Sequence, residues 1–349
     1  MKQIANIQAL RGVAALLVLM AHVSLYESRV DASGILPHYL FGIGGSGVDL
    51  FFVISGFVMF TISGDGTNGL NSARSFLIHR IARIYPLYWI FTLLVLTILL
   101  INPHMINRAG GMGDFSVIRS FFLIPDVGKA PLVGQGWTLV HEMYFYLVFA
   151  CVVLARSKMR IYLILGWALA VAAFNWVLNA PNSPCWNIAT HPSTFEFIFG
   201  CFIAFMLKKG LNSYGIIALV IGCLLLHLGA NSLENRRVLW TGASALIVYG
   251  AAAVENKHSI IFPLWLRNVG NMSYSLYISH ILVLSACLKV WKSYSYSGPY
   301  DNAVACVVMV ALALGTSFYV YRYVEYPIMN ISKRMLKRGT IENLVGKSL

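Results

Sequence analysis

The sequence predicts an all-α polytopic membrane protein with about ten transmembrane helices. Of its 349 residues, 58% are hydrophobic and only 11% are charged, whereas soluble domains have roughly 45–50% and 25%. Apolar runs also recur along the whole chain, and a helix needs about 20 mostly apolar residues to cross a bilayer core. Ten such runs lie near residues 7–26, 47–63, 84–102, 138–155, 161–178, 194–207, 214–229, 238–254, 271–291 and 302–324.

Positive charges predict the orientation, because cytoplasmic loops of membrane proteins carry an excess of Lys and Arg. With the N-terminus inside, 17 of the 26 Lys and Arg residues fall in cytoplasmic segments and 7 in external ones, the longest of which runs over 102–136. We therefore expect both termini in the cytoplasm, one transmembrane domain over 1–330, a short basic tail over 331–349 and no appended soluble domain. The net charge of +13 then reflects orientation in the membrane, and we expect no nucleic acid partner.

Two ionisable residues, Arg11 and His22, lie inside the first apolar run. Ionisable side chains within a span are costly and usually face a protein interior or a water-filled cavity. Eleven steps of about 100° leave a remainder of roughly 20°, so both side chains project from one helix face, about 16 Å apart along the axis. The spacing predicts a guanidinium near the inner interface and an imidazole deep in the membrane or near its outer side.

Basic residues before the third span add to the inner charge of Arg11. Arg80 and Arg83 are three residues apart, so they share one face of a helix that enters the membrane there. Two guanidiniums in this arrangement form a clamp that suits phosphate. Ordinary anchoring by positive charge at the inner interface is the alternative explanation.

A second group of polar residues is expected toward the outside. It comprises His22 and three carboxylates that start or end spans near the outer interface, Asp49, Glu142 and Glu196. If the four converge, a carboxylate fixes the tautomer of the imidazole, whose other nitrogen then acts as a base. For each carboxylate alone, the alternative is an interfacial position in contact with water. His280 lies mid-span among hydroxyl residues and is either a further site residue or a histidine that these hydroxyls satisfy.

Other polar positions have structural explanations. Ser55-Gly56-Phe57 places two small residues mid-span, which is typical of close helix packing or of a helix break. Glu325 caps the last span and is expected to pair with an arginine. The six cysteines show no CxxC or Cys/His ligand spacing, so we expect neither a metal site nor a disulfide framework.

Six motifs, taken in chain order, resemble the acyltransferase 3 family of integral-membrane O-acyltransferases. The resemblance covers Ile7 to about Ile331; one motif alone is weak, but six in order along ten spans form a specific pattern. They are Arg-x10-His in the first span (Arg11 and His22), GVDLFFVISGF (Gly47 to Phe57), RIARIYPLYW (Arg80 to Trp89), WTLVHEMYFY (Trp137 to Tyr146), NMSYSLYISH (Asn271 to His280) and YRYVEYP (Tyr321 to Pro327).

The resemblance implies transfer of an acyl group, usually acetyl from acetyl-coenzyme A, to hydroxyls of cell-envelope or exported glycans. We therefore expect a multi-pass protein of the plasma (inner) membrane that binds no cofactor and uses acyl-CoA as a co-substrate. The expected partners are acyl-CoA, a glycan or lipid-linked saccharide acceptor, and membrane lipids. A second copy of the chain or an envelope-synthesis protein is a further candidate partner.

Family chemistry also suggests residue roles. His22 is expected to act as general base on the acceptor hydroxyl, or to accept the acyl group transiently, while Glu142 or Asp49 orients its ring. Three basic residues are expected to bind the phosphates of acyl-CoA: Arg11, Arg80 and Arg83. Supporting or acceptor-side roles are expected for four further residues: Glu196, His280, Trp137 and Tyr146.

Two other functions fit parts of the pattern. Intramembrane His, Glu and Arg residues also suit a proton-coupled transporter or flippase of an envelope precursor, although the chain shows no internal repeat of the kind many transporters have. A non-catalytic scaffold in an envelope-synthesis complex explains the intramembrane charges worst. Movement of label from acyl-CoA to product distinguishes an enzyme from both.

Overall fold

The computed structural model describes residues 4–29, 42–64, 66–101, 116–126, 129–177, 183–232, 234–294 and 298–345. Within these ranges every regular element is helical, which confirms the predicted all-α fold. The elements are α1 (Ala5–Glu27), α2 (Ser46–Ile62), α3 (Gly69–Ile101), α4 (Val117–Phe122), α5 (Gly136–Leu154), α6 (Ser157–Val177), α7 (Pro184–Ala189), α8 (Ser193–Lys208), α9 (Gly215–Asn231), α10 (Arg236–His258), α11 (Leu264–Asn271), α12 (Ser273–Tyr294), α13 (Pro299–Val320), a π-helical turn (Tyr321–Glu325) and α14 (Tyr326–Val345).

Nine helical segments of the described ranges are long and apolar enough to cross a membrane. The 17-residue helix α9 is a tenth apolar helix, shorter than the others. The apolar segments of the structure thus match the ten runs seen in the sequence, and a multi-pass membrane protein is confirmed.

Helix α1 lies at the centre of the bundle, where it contacts α2, α10, α11, α12 and α13. Its backbone meets that of α11 closely: a Cβ atom on Gly270 would lie 1.8 Å from the carbonyl oxygen of Gln8. Residues along the whole length of α1 are fully buried, among them Leu19 and Val23. Because the helix is unbroken over Ala5–Glu27, the common face predicted for its two ionisable residues is preserved.

Helices α2 and α8 cross at two glycines. A Cβ atom on Gly56 would lie 1.9 Å from the carbonyl oxygen of Phe197, and one on Gly200 would lie 2.0 Å from that of Val53. Only glycine permits such an approach of two backbones, which is a common packing device between membrane helices. Of the two explanations for the Ser55-Gly56 pair, close packing is the correct one.

The described residues 116–126 and 129–135 do not form a simple external loop, although the sequence predicted one over 102–136; residues 102–115, 127 and 128 lie outside the described ranges. The last turn of α4 packs against the middle of α3, where Tyr85, Tyr88 and Trp89 donate hydrogen bonds to its backbone carbonyls. Those residues precede the end of α3 by 12 to 16 positions, or about 18–24 Å of helix. The segment is therefore re-entrant, and α3 satisfies backbone groups that lipid cannot.

The depth of α4 also sets where α5 begins. A Cβ atom on Gly136, the first residue of α5, would lie 3.3 Å from the ring of Tyr88. Helix α5 thus starts within the bundle, level with the middle of α3. Every residue of α5 consequently lies further inward than a helix starting at the outer interface would place it.

The last helical run contains a π-helical turn at Tyr321–Glu325. Such turns insert one residue into a helix and re-aim the side chains that follow. Here Glu325 is only 2% exposed and accepts a hydrogen bond from the Ser275 hydroxyl. The expected ion pair with an arginine was wrong, since no arginine of the described ranges lies within 4 Å of this carboxylate.

Candidate active site

A cavity of about 560 Å³ opens between α1, α2, α3, α5 and α12, and its wall includes Lys333 of α14. Most of its lining is apolar, as is typical of ligand sites. Its charged residues converge from four helices. Besides Lys333, they are Arg11 of α1, Arg80 and Arg83 of α3, and Glu142 of α5.

The three arginines have few partners in the protein. Arg11 donates one hydrogen bond to Gln8 at 3.3 Å, and Arg83 makes a contact of 3.8 Å with the sulfur of Met329. In the part of the chain that the structure describes, none of the three arginines has a carboxylate within 4 Å. Each guanidinium has five N–H donors, so most of these donors lack a protein acceptor.

Arg80 is held by aromatic rings instead of by a carboxylate. Its guanidinium lies 5.7 Å from the ring centroid of Phe76 and 5.9 Å from that of Tyr146. Its Nε atom is buried and has no hydrogen-bond partner. An arginine within a membrane costs roughly 2.5–3.5 kcal/mol on insertion scales, and such residues mark functional sites. Three of them with free donors in one cavity have the chemistry that suits an anion.

Glu142 lies at the level of these arginines and not in the outer layer where the sequence analysis put it. Its carboxylate accepts hydrogen bonds from the hydroxyls of Ser55 and Tyr146, and its charge acts on both Arg11 and Arg80. The re-entrant start of α5 explains the difference: six residues of helix carry Glu142 about 9 Å inward from Gly136.

Asp49 and Glu196 form a separate pair away from the cavity. Each carboxyl group lies within hydrogen-bonding reach of the other, and Glu196 also accepts a hydrogen bond from Thr241 at 3.1 Å. Asp49 precedes Ser55 by six residues, so it projects from α2 about 120° away from the cavity face. The close crossing of α2 and α8 turns Asp49 toward Glu196.

His22 pairs with His280 and not with a carboxylate. The two ring centroids are 4.9 Å apart in an edge-on arrangement. His22 Nδ1 lies 2.8 Å from the carbonyl oxygen of Val18, and His280 Nδ1 lies 3.0 Å from that of Leu276. Since a carbonyl only accepts, both Nδ1 atoms carry the proton, and in the neutral rings both Nε2 atoms are acceptors.

The four residues of the expected outer layer therefore do not converge. Within the described residues, no hydrogen bond joins His22 to Glu142 or to Asp49; a backbone carbonyl fixes its tautomer instead. His280 is not satisfied by neighbouring hydroxyls either, because its Nε2 atom is buried and has no partner.

Tyr277 and Phe51 stand between the cavity and the two histidines. Both line the cavity, and their ring centroids are 6.0 Å apart. On its other side, Tyr277 lies 5.9 Å from the ring of His280, and its hydroxyl bonds to Thr138 at 2.7 Å. Neither histidine lines the cavity, so this aromatic layer separates the arginines from the imidazoles.

The remaining residues singled out from the sequence divide between two places. Tyr146 lines the arginine cavity. Trp137 is 42% exposed and lines a second, smaller cavity nearer the start of α5. No group of three or more His, Cys, Asp or Glu residues in the described ranges is arranged to hold a metal ion.

Sequence reasoning missed four residues of the arginine cavity: Ser55, Tyr274, Tyr277 and Lys333. The two tyrosines belong to the motif that ends in His280, and their spacing of three residues puts them on one helix face. That spacing could have indicated that both tyrosines line one site. No feature of the sequence singles out Lys333, because a basic residue after a last span is ordinary in membrane proteins.

Comparison with known proteins identifies the family. A family model described as an acyltransferase domain matches residues 4–322. The chain is 27% identical to the exopolysaccharide production protein ExoZ of Rhizobium meliloti over 310 residues, which cover 86% of this chain and 92% of ExoZ. No solved structure matches the chain.

Two further relatives are more distant. The peptidoglycan O-acetyltransferase OatA of Listeria monocytogenes is 22% identical, with 94% of this chain and 56% of OatA aligned. The acyltransferase MdmB of Streptomyces mycarofaciens is 23% identical, with 94% of this chain and 92% of MdmB aligned. The family match spans nearly all of the membrane bundle and contains the three arginines of the cavity and the histidine pair. The chain belongs to the acyltransferase 3 family of membrane-embedded acyltransferases.

Proposed function

We propose that this protein transfers an acetyl group from cytoplasmic acetyl-CoA, across the membrane, to a hydroxyl of an envelope or exported polysaccharide. One observation carries the donor half of the proposal: three guanidiniums without carboxylate partners line a single cavity. The names of two relatives, which refer to exopolysaccharide and to peptidoglycan O-acetylation, support a glycan as the acceptor.

The donor binds by its phosphates in this proposal. Guanidinium groups pair with phosphate oxygens through two parallel hydrogen bonds, and the cavity offers three such groups together with Lys333. Coenzyme A carries several phosphate charges on its nucleotide end, which is cytoplasmic. This requires the arginines to face inward, in agreement with the orientation expected from the positive charges, with both termini in the cytoplasm of the cell and the bundle in its plasma membrane.

Glu142 positions an arginine in this scheme. It accepts a hydrogen bond from the hydroxyl of Tyr146, whose ring lies under the guanidinium of Arg80. Its carboxylate also balances part of the positive charge while the cavity is empty. We therefore assign Glu142 to the donor site and no longer to the imidazole.

His22 acts as the base, through Nε2. The Val18 carbonyl holds its proton on Nδ1, which leaves the Nε2 lone pair for the acceptor hydroxyl. As Nε2 takes the hydroxyl proton, the hydroxyl oxygen bonds to the thioester carbonyl carbon. The C–S bond then breaks, and the departing thiolate takes the proton from the imidazolium to leave as CoA thiol.

His280 supports the charge that forms on His22. Its ring touches that of His22, and its Nε2 lone pair has no partner in the protein. A neutral imidazole beside an imidazolium stabilises it, as a carboxylate does in other sites.

The alternative, in which His22 carries the acyl group as a covalent intermediate, predicts an acetylated protein that can be trapped in the absence of acceptor.

The aromatic layer of Tyr277 and Phe51 must open for the thioester to reach His22. Arg11 and His22 are about 16 Å apart along α1, and the pantetheine arm of coenzyme A is long and thin enough to thread between helices. In this scheme the arm passes the two rings while the phosphates remain on the arginines. The nucleotide and the acceptor then never meet.

Transfer of label tests the proposal. Purified protein in liposomes receives acetyl-CoA with a radioactive acetyl group, and oligosaccharides released from the cell's own envelope polysaccharide serve as acceptors. We expect label in the saccharide fraction, released again by mild alkali as an O-acetyl ester is. Movement of the saccharide from one side of the bilayer to the other, without transfer of label to it, would instead identify a transporter or flippase.

A further inference from the structure

A second cavity, of about 160 Å³, lies between the re-entrant segment, α5 and α7. Under the proposed orientation it opens to the external side, because both 102–136 and 178–193 are external connections. Its lining is mostly apolar, like that of the arginine cavity, but it includes several polar side chains. Among the residues with polar groups are Arg119, Asp126, Lys129, Trp137, His141 and His191.

Helix α5 separates the two cavities and contributes to both. Thr138, Glu142 and Tyr146 are spaced by four residues and line the arginine cavity, whereas Trp137 and His141 line the second one. Consecutive residues of a helix project about 100° apart, so His141 and Glu142 face different cavities. The donor site and the second cavity thus lie against two different faces of one helix, about 100° apart.

His141 is buried without being satisfied. It is 8% exposed, and its Nδ1 atom has no hydrogen-bond partner. Its ring lies 5.8 Å from that of Trp137 and 4.2 Å from that of His191. A buried polar atom without a partner destabilises the fold, and a ligand group that bonded to it would offset that cost.

His191 complements His141 chemically. Its Nδ1 accepts the backbone N–H of Ser193 at 3.2 Å, so in the neutral ring the proton is on Nε2, which is then a donor. Arg119 and Asp126 neutralise each other in an ion pair of 2.8 Å. Lys129 also lines the cavity and adds a positive charge. The two histidines offer neutral donors and acceptors beside an exposed indole face, a combination that suits the hydroxyls and the C–H face of a sugar ring.

We infer that the second cavity is an acceptor subsite, which holds one sugar unit of the glycan across α5 from the donor. The inference rests on the proposed function and names where its acceptor binds. A volume of about 160 Å³ is smaller than the roughly 300–1,000 Å³ of sites for drug-sized ligands. One sugar unit fits this size, and the rest of the chain extends outward.

His141→Phe tests the inference, because phenylalanine keeps the aromatic packing and removes only the ring nitrogens. We expect the KM for oligosaccharides released from the cell's own envelope polysaccharide to rise about tenfold, the effect of losing one or two hydrogen bonds to the sugar. The dissociation constant for CoA should stay within twofold of the wild type. The melting temperature should hold or rise, because the variant no longer buries an unsatisfied nitrogen.

If His141 has only a structural role, His141→Phe should lower the melting temperature and leave the KM for the oligosaccharides unchanged. That result would overturn the inference. Trp137→Leu provides a second variant and should raise the same KM, with Trp265→Leu as the control. Trp265 is 61% exposed and lines neither cavity. If the wild type transfers no labelled acetyl group to the saccharide, the proposed function itself is wrong. Measured affinity for CoA then shows whether the arginine cavity nevertheless binds CoA.

Discussion

Replacing Arg80 and Arg83 together with glutamine is the most informative perturbation of the donor site. Glutamine keeps much of the side-chain length and the capacity to donate hydrogen bonds, but it removes both charges from the cavity. Neither arginine has a carboxylate within 4 Å in the described structure. The substitution therefore breaks no ion pair within the protein. Its effect on CoA affinity measures the interaction of the two arginines with the phosphates of the bound CoA.

The size of the effect follows from the number of charge-assisted bonds. A hydrogen bond to a charged group contributes roughly 1.5–3 kcal/mol, so the loss of one such bond weakens CoA binding by about 10- to 150-fold. Loss of both arginines should raise the dissociation constant by at least about 100-fold, with less than full additivity because the two share one ligand. Stability should not fall, since a membrane-buried charge costs free energy.

Titration of purified protein with CoA measures the constant, and the thermal shift caused by CoA gives it independently. Arg74→Gln is the matched control, because Arg74 lies on the same helix but is exposed and outside the cavity. Acetyl-pantetheine, which lacks phosphates, should be used equally well by wild type and double variant. CoA affinity within threefold of the wild type in the double variant would refute the phosphate clamp.

Three further predictions follow from the same structure. His22→Ala should reduce acetyl transfer to background while CoA binding and membrane insertion persist; near-normal transfer, measured as labelled saccharide, would remove His22 from the mechanism. Gly56→Ala should destabilise the bundle by about 2 kcal/mol or more, since overpacking typically costs 1–3 kcal/mol, whereas Gly166→Ala, with open space around it in a helix interior, should leave the melting temperature unchanged or raise it. Lys333→Gln should raise the KM for acetyl-CoA several-fold but not that for acetyl-pantetheine; an equal effect from Arg334→Gln, which does not line the cavity, would show that the charge acts non-specifically.

The sequence was sufficient for the helical membrane fold and for the arginine cluster. Hydropathy locates spans, and the charges of Arg11, Arg80 and Arg83 in or beside spans predicted a phosphate clamp, with ordinary anchoring of Arg80 and Arg83 as the alternative. The structure brings these three residues to one cavity, although their role in binding acyl-CoA stays a prediction.

The depth of Glu142 could not be read from the sequence. A hydropathy pattern assumes that each span starts at an interface, so Glu142 was placed near the outside. The re-entrant segment contains Arg119, Asp126 and Lys129, and no apolar run reveals that it enters the bundle. Only the bonds from α3 to its backbone show its depth.

The partners of His22 depend on tertiary packing. Its neighbour His280 is 258 positions away along the chain, and nothing local indicates that α1 packs against α12. Asp49 shares the depth expected of an orienting carboxylate, but the glycine crossing of α2 with α8 turns it away. A hydropathy pattern indicates which residues belong to a span, whereas neighbouring helices decide the direction in which each side chain points.

The most direct test of the central claim is a structure of the protein with a thioether analogue of acetyl-CoA, which cannot transfer its acyl group. The account predicts that phosphate oxygens lie within hydrogen-bonding distance of Arg11, Arg80 and Arg83, with the arm passing Tyr277 and the acetyl group beside His22 Nε2. A nucleotide bound elsewhere, with the arginines unoccupied, would contradict it.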